Sequence, residues 1–121
     1  TFGGNPLASA AGLAVINLLK THQYIPHIET KGKALLARFK ARLQEQTGIV
    51  DIRGKGYMIG IQLDRPCAQL VQHALDRKVL INVTRGDTVR LLPTFVMTPE
   101  QTDHLVDTVC DLIHSFLADK S

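Results

Sequence analysis

The stretch IVDIRGKGYMIGIQL, residues 49–63, decides the fold. Ile49 to Ile52 and Tyr57 to Leu63 alternate or run apolar, and they are rich in β-branched and aromatic residues. Side chains on a strand alternate between two faces, so this pattern predicts two strands. Between them, Arg53-Gly54-Lys55-Gly56 reads as a glycine turn.

On the N-terminal side the period is helical. Asn5-Pro6 is a start signal: asparagine caps free N–H groups, and proline is pre-set for the first turn. Leu7, Ala10, Ala11, Ala14, Val15, Leu18 and Leu19 then recur at helical spacing. A second helix is expected over Pro26 to Gln46, with Ile28, Leu35, Leu36, Phe39 and Leu43 on one stripe and Gly48 closing it. On the C-terminal side, Pro66 is expected to open a helix over Cys67 to Lys78, with Leu70, Val71, Ala74 and Leu75 inward. Strands follow at Val79–Val83 and Thr88–Leu92, turning at Arg85-Gly86-Asp87. Thr98, Pro99 and Gln101 announce the last helix through a capping box, with Leu105, Val109, Leu112, Ile113 and Phe116 as its core stripe. A polar tail, Asp119-Lys120-Ser121, ends the chain. The order ααββαββα predicts a two-layer α+β domain, a small and mostly antiparallel sheet covered by helices.

Length and charge narrow the function. A chain of 121 residues suits one domain with a core of its own. Fourteen basic and eleven acidic residues give a net charge of +3, but they are interspersed. Without a basic stripe interleaved with aromatics, nucleic-acid binding is not favoured, whereas an anionic small molecule suits the excess. The longest apolar stretch, Leu7 to Leu19, is too short and too mixed for a membrane span. Cys67 and Cys110 have no metal or disulfide spacing and read as free thiols of a reducing compartment, so the cytoplasm is the expected location. The five histidines pair neither with each other nor with a cysteine at helical spacing, and no metal site is expected. The chain opens on Thr1-Phe2-Gly3-Gly4 rather than on Met, so it is expected to be a piece of a longer protein.

Two places can carry chemistry. In Thr1-Phe2-Gly3-Gly4-Asn5-Pro6, a hydroxyl, two glycines and a helix N-terminus stand together, which suits an anion. The plainer alternative is an ordinary capped helix start. In Val89-Arg90-Leu91-Leu92-Pro93, an arginine interrupts an apolar strand. Its planar fork matches a carboxylate, and burying it without an anion is costly. The plainer alternative is an edge-strand arginine with its head in water.

Three segments together resemble one family. Thr-Phe-Gly-Gly-Asn-Pro-Leu-Ala (1–8) is similar to the signature segment of class III, fold-type I, pyridoxal-phosphate aminotransferases. Residues 52–60, IRGKGYMIG, resemble that family's R-G-x-G-hydrophobic-M-x-G stretch. Ile81-Asn82-Val83-Thr84 followed by Val89-Arg90-Leu91-Leu92-Pro93 looks most like the acetylornithine and succinyldiaminopimelate branch. Thr94 stands where a second proline is usual, and Ser9 where alanine or cysteine is usual; neither touches the proposed contacts.

The resemblance implies the small C-terminal domain of a fold-type I transferase over residues 23–121. It implies that residues 1–22 form an inter-domain helix with a cofactor-phosphate loop at its start. It implies that Thr1 reaches the phosphate of pyridoxal 5'-phosphate in the partner subunit of a homodimer, and that Arg90 holds the substrate's α-carboxylate. The cofactor lysine and the carboxylate facing the pyridine nitrogen would lie upstream of Thr1. The chain therefore holds no catalytic residue and is not expected to transaminate or retain the cofactor alone. For the parent it implies transfer of an amino group from N2-acetylornithine to 2-oxoglutarate, giving N-acetylglutamate semialdehyde and glutamate, in arginine and lysine biosynthesis. Succinyldiaminopimelate, ornithine and 4-aminobutyrate are the competing donors. A reading of a different kind is a non-catalytic α+β module that docks other chains through its small-residue first helix.

Overall fold

A computed structural model describes residues 1–119; Lys120 and Ser121 of the polar tail lie outside the described residues. The elements in chain order are α1 (Pro6–Thr21), α2 (Tyr24–Leu43), β1 (Ile49–Lys55), β2 (Met58–Leu63), α3 (Leu70–Asp76), β3 (Asn82–Thr84), β4 (Thr88–Leu91) and α4 (Pro99–Ala118). The expected element order and the two-layer α+β architecture are both present. The four strands form one antiparallel sheet in the order β1-β2-β4-β3.

Strand alternation decides which face is covered. Ile52 of β1, Ile59, Ile61 and Leu63 of β2, and Val89 and Leu91 of β4 are buried beneath α2, α3 and α4. Phe39 and Leu43 of α2 and Val106, Val109 and Ile113 of α4 close the core from above. A fully buried Leu, Ile or Phe side chain contributes about 1.5–3 kcal/mol, so this cluster supplies the fold's main stabilisation. Exposed ion pairs join α2 to α4 at Arg38–Asp103 (2.8 Å) and Arg42–Asp107. At most about 1 kcal/mol each, they set orientation more than stability. The capping box is formed: Thr98 accepts from the Gln101 amide at 3.2 Å, and Gln101 accepts from the Thr98 amide at 2.9 Å.

Several boundaries differ from the sequence expectation. The helix α2 begins two residues earlier and ends at Leu43, and Gly48 (φ 98) sits in the turn leading into β1 rather than at the helix end. Residues 67–69 form a turn ahead of α3, so Pro66 does not open that helix. With only seven residues, α3 buries Leu70 and Ala74, while Val71 and Leu75 are 39% and 50% exposed. The third strand is Asn82–Thr84, not Val79–Val83; Val79 packs into the core from an irregular segment. Most important, β1 runs through Arg53, Gly54 and Lys55, and the turn contracts to Gly56-Tyr57. Gly56 has φ 56 and Tyr57 does not, the signs of a type II′ turn, whose twist matches its strands. Arg53 is therefore a strand residue.

The first helix stands apart. It has no buried residue, Leu7 is 82% exposed, and it leans chiefly on α2. Among the described residues, no helix is long and apolar enough to cross a membrane.

Candidate functional site

The face of the sheet away from the helices carries polar side chains in two rows. One row reads Arg53–Gly60–Arg90–Asn82 across β1, β2, β4 and β3. The other reads Asp51–Gln62–Thr88–Thr84 in the same strand order. Both follow from register: each takes the strand positions that alternate with Ile52, Ile59, Ile61, Val89 and Leu91, which face the core.

The second row is tied together. Arg53 Nη1 donates to Asp51 Oδ2 at 2.8 Å and to Gln62 Oε1 at 3.2 Å. Gln62 Nε2 donates to Asp87 Oδ2 at 3.2 Å, and Thr88 Oγ1 donates to Asp87 Oδ1 at 2.7 Å. The Thr88 hydroxyl, helped by the Gln62 amide, holds the Asp87 carboxyl below the usual carboxylate range. The β3–β4 turn that carries Asp87 is itself anchored: Leu63 N donates to Asp87 O at 2.9 Å and Cys67 N to Gly86 O at 2.8 Å.

Arg90 is arranged differently. Among the described residues its side chain makes neither a hydrogen bond nor an ion pair, whereas the other strand arginine, Arg53, is held through Nη1 by Asp51 and Gln62. The plainer alternative holds in part: β4 is no edge, since it lies inside the sheet between β2 and β3, but Arg90 is exposed as that reading has it. The burial cost invoked from the sequence fails. Alternation turns Arg90 onto the uncovered face, where it is exposed. What remains is a free guanidinium fork beside a recess of about 390 Å³, with Arg53, Met58, Gly60, Thr84 and Thr88 among its lining residues. Its chemistry suits a planar anion such as a carboxylate.

Thr1 lies elsewhere, and the recess around Arg90 does not include it. Its segment is shaped by Asn5, whose Nδ2 donates to Phe2 O at 2.7 Å and whose Oδ1 accepts from Ala8 N at 2.9 Å. Phe2 and Gly4 take positive φ, 61 and 74, and a Cβ at Gly3 or Gly4 would meet nothing within 4 Å. The result is an open, glycine-lined backbone turn at the start of a 16-residue helix, beside an exposed hydroxyl. Open amides, a helix N-terminus and a hydroxyl are the donor set that a phosphate takes.

Both cysteines are buried and free, and burial is the first cause pushing each thiol up to about 11. They are packing groups, not nucleophiles. Among the described residues, no cluster of three His, Cys, Asp or Glu is placed to hold a metal ion.

Sequence reading missed Arg53 and Gly60 as neighbours of Arg90. Counting outward from a two-residue turn would have paired Arg53 with Gly60, but a four-residue turn hid it. The pairing of Gly60 with Arg90 joins residues far apart in sequence and has no local signal.

A family model described as aminotransferase class-III matches residues 1–113. Acetylornithine aminotransferase 1 of Bordetella bronchiseptica is 44% identical over 118 residues, covering 98% of this chain and 30% of that protein. Acetylornithine aminotransferase of Nitrosomonas europaea is 42% identical, covering 97% of this chain and 30% of that one. The crystal structure of acetylornithine aminotransferase from Elizabethkingia anophelis superposes with a TM-score of 0.85 at 28% identity, over 96% of this chain and 30% of that chain. Ornithine aminotransferase from Toxoplasma gondii reaches a TM-score of 0.90 at 24% identity over 99% of this chain and 30% of that one, a likeness of fold. The chain thus spans about 30% of the length of the curated relatives it matches.

Proposed function

Because the chain belongs to the class-III aminotransferase family, we propose that it is the carboxylate-gripping part of an acetylornithine aminotransferase. In this reading the parent enzyme moves the amino group of N2-acetylornithine to 2-oxoglutarate, in the cytoplasm, for arginine biosynthesis. Relatives of that name at 42–44% identity support the choice of donor. The observation that carries the reading is Arg90, a free fork on the uncovered sheet face.

The chain's own residues have two tasks. Arg90 takes the substrate's α-carboxylate through two parallel N–H···O bonds, which in N2-acetylornithine anchors the end of the molecule opposite the δ-amino group that is transferred. Holding a reactant in one orientation contributes several kcal/mol to lowering a barrier, up to about 7–11 in the best cases. 2-Oxoglutarate also brings carboxylates to this fork, so the same arginine meets both substrates. The open turn at Thr1-Phe2-Gly3-Gly4, with the exposed Thr1 hydroxyl, fits the phosphate of pyridoxal 5'-phosphate, contributed across a homodimer interface. When bound, that cofactor supplies the aldehyde that receives the amino group and the ring that withdraws electrons. None of the chain's lysines lies in a segment resembling the family's cofactor lysine, so the remainder of the enzyme supplies it. Residues 1–22 then join the two domains, and 23–121 form the smaller one. The exposed apolar surface of α1, which on its own favoured a docking module, is covered by that remainder.

The test uses the full-length protein. Amino transfer to 2-oxoglutarate is measured with N2-acetylornithine, succinyldiaminopimelate, ornithine and 4-aminobutyrate. The expected result is the highest kcat/KM with N2-acetylornithine; no transfer from any of the four would contradict the reading. In parallel, Thr1→Ala is expected to lose cofactor during dialysis faster than the parent, read from the cofactor's visible absorbance. Equal retention would reduce Thr1 to a helix-start residue.

A further inference from the structure

Gly60 occupies a position where nothing in the local structure requires glycine. It lies inside β2, an inner strand of the sheet, and its φ is not positive, unlike Gly4, Gly48, Gly56 and Gly86. A Cβ built on it would meet Thr88 Cγ2 at 3.6 Å and the Arg53 side chain at 3.9 Å, ordinary van der Waals contacts. The contrast is Gly54 on the neighbouring strand, where a Cβ would fall 2.8 Å from the Met58 carbonyl oxygen. Glycine in a strand interior costs conformational entropy and forfeits side-chain packing, and such positions often mark close approach of a ligand.

The neighbours of Gly60 give that approach a direction. In register it lies between Arg53 on β1 and Arg90 on β4, and it faces the recess they share. Strands lie about 4.8 Å apart, so the two arginine backbones stand about 10 Å apart with bare backbone between them. Arg53 is held down by Asp51 and Gln62 and forms a fixed wall, while Arg90 is free to turn toward an incoming anion.

We infer that Gly60 is a specificity-determining residue: its missing side chain keeps open the floor on which a carboxylate-bearing substrate lies to reach Arg90. This rests on the reading of Arg90 as the carboxylate grip and adds the surface against which the substrate is pressed. A side chain at position 60 fills the floor without disturbing the core, because the buried face of β2 is carried by Ile59 and Ile61.

The experiment uses the full-length holoenzyme and glutarate, a dicarboxylate that carries no amino or keto group. Its dissociation constant is measured by calorimetry for the parent, Gly60→Ala, Gly60→Val and Arg90→Ala, alongside the KM and kcat for 2-oxoglutarate. Unfolding temperature and cofactor absorbance report folding. Valine, a good strand former, is expected to weaken glutarate binding roughly tenfold or more, the lower range for one misfit side chain in a pocket. Alanine should give a smaller loss in the same direction, with KM rising more than kcat falls in both. If Gly60→Val does not fold, Gly60→Ala alone decides. Unchanged glutarate affinity in the folded Gly60 variants, with binding lost in Arg90→Ala, overturns the floor and leaves the Arg90 reading intact. Unchanged affinity in Arg90→Ala overturns the Arg90 reading, and the floor with it.

Discussion

Arg90→Ala in the full-length protein is expected to lower kcat/KM for the amino donor by a hundredfold or more, with the cofactor still bound. The magnitude follows from what is removed. Hydrogen bonds to charged groups are worth about 1.5–3 kcal/mol each, and a bidentate grip makes two of them. Loss of about 3 kcal/mol corresponds to somewhat more than a hundredfold at 25 °C. The fold should survive, because Arg90 is exposed and makes no side-chain bond among the described residues, while Val89 and Leu91 on either side carry the packing. Arg90→Lys should recover only part of the loss, since an ammonium cannot make the planar two-point contact. Steady-state kinetics with both variants, alongside cofactor absorbance and an unfolding curve, checks this. Turnover equal to that of the parent would remove Arg90 from the site.

Gly32→Ala is expected to destabilise the fold by about 2 kcal/mol or more, although helix propensity alone favours alanine by about 1 kcal/mol. Gly32 is a buried residue of α2, facing the β1–β2 turn. A Cβ there would lie 2.3 Å from the Gly56 carbonyl oxygen and 2.9 Å from Gly56 Cα. These are backbone atoms, so no side chain can swing aside. Either the helix lifts from the sheet or the turn deforms. Overpacking of this kind costs about 1–3 kcal/mol, and the loss of contact between α2 and β1 adds to it. The net sign is destabilising, and chemical denaturation of the variant measures it. A more stable variant would mean that helix and turn can part without cost. The site depends on the same contact, since the turn that α2 presses on sets the register of Arg53 against Gly60.

What was legible in the sequence follows the range of the physics involved. Local patterns carried the elements. The switch from helical to strand period at residue 49 and the Thr98-Pro99-Gln101 cap led to eight elements in the right order, because propensity and capping act within a few residues. The third helix and the third strand were misplaced because each is short. Seven and three residues, respectively, give periodicity little to work on, and tertiary packing of Val79 and Ala74 decides their ends. Arg90 stood out because an arginine in an apolar strand is conspicuous, yet the reason first assigned to it, burial, was the wrong one. Its significance comes from lying free on the face the helices leave uncovered, which depends on which phase of β4 the core selects. Gly60 and Arg53 were invisible as site residues because their meaning lies in cross-strand register, a property of three strands at once.

The most direct measurement is a crystal structure of the full-length protein with glutarate or N2-acetylornithine bound. The account predicts a carboxylate held by two guanidinium nitrogens of Arg90 at about 2.7–2.9 Å, lying over Gly60. A ligand with every carboxylate gripped elsewhere, and the Arg90 side chain directed into solvent, would contradict it.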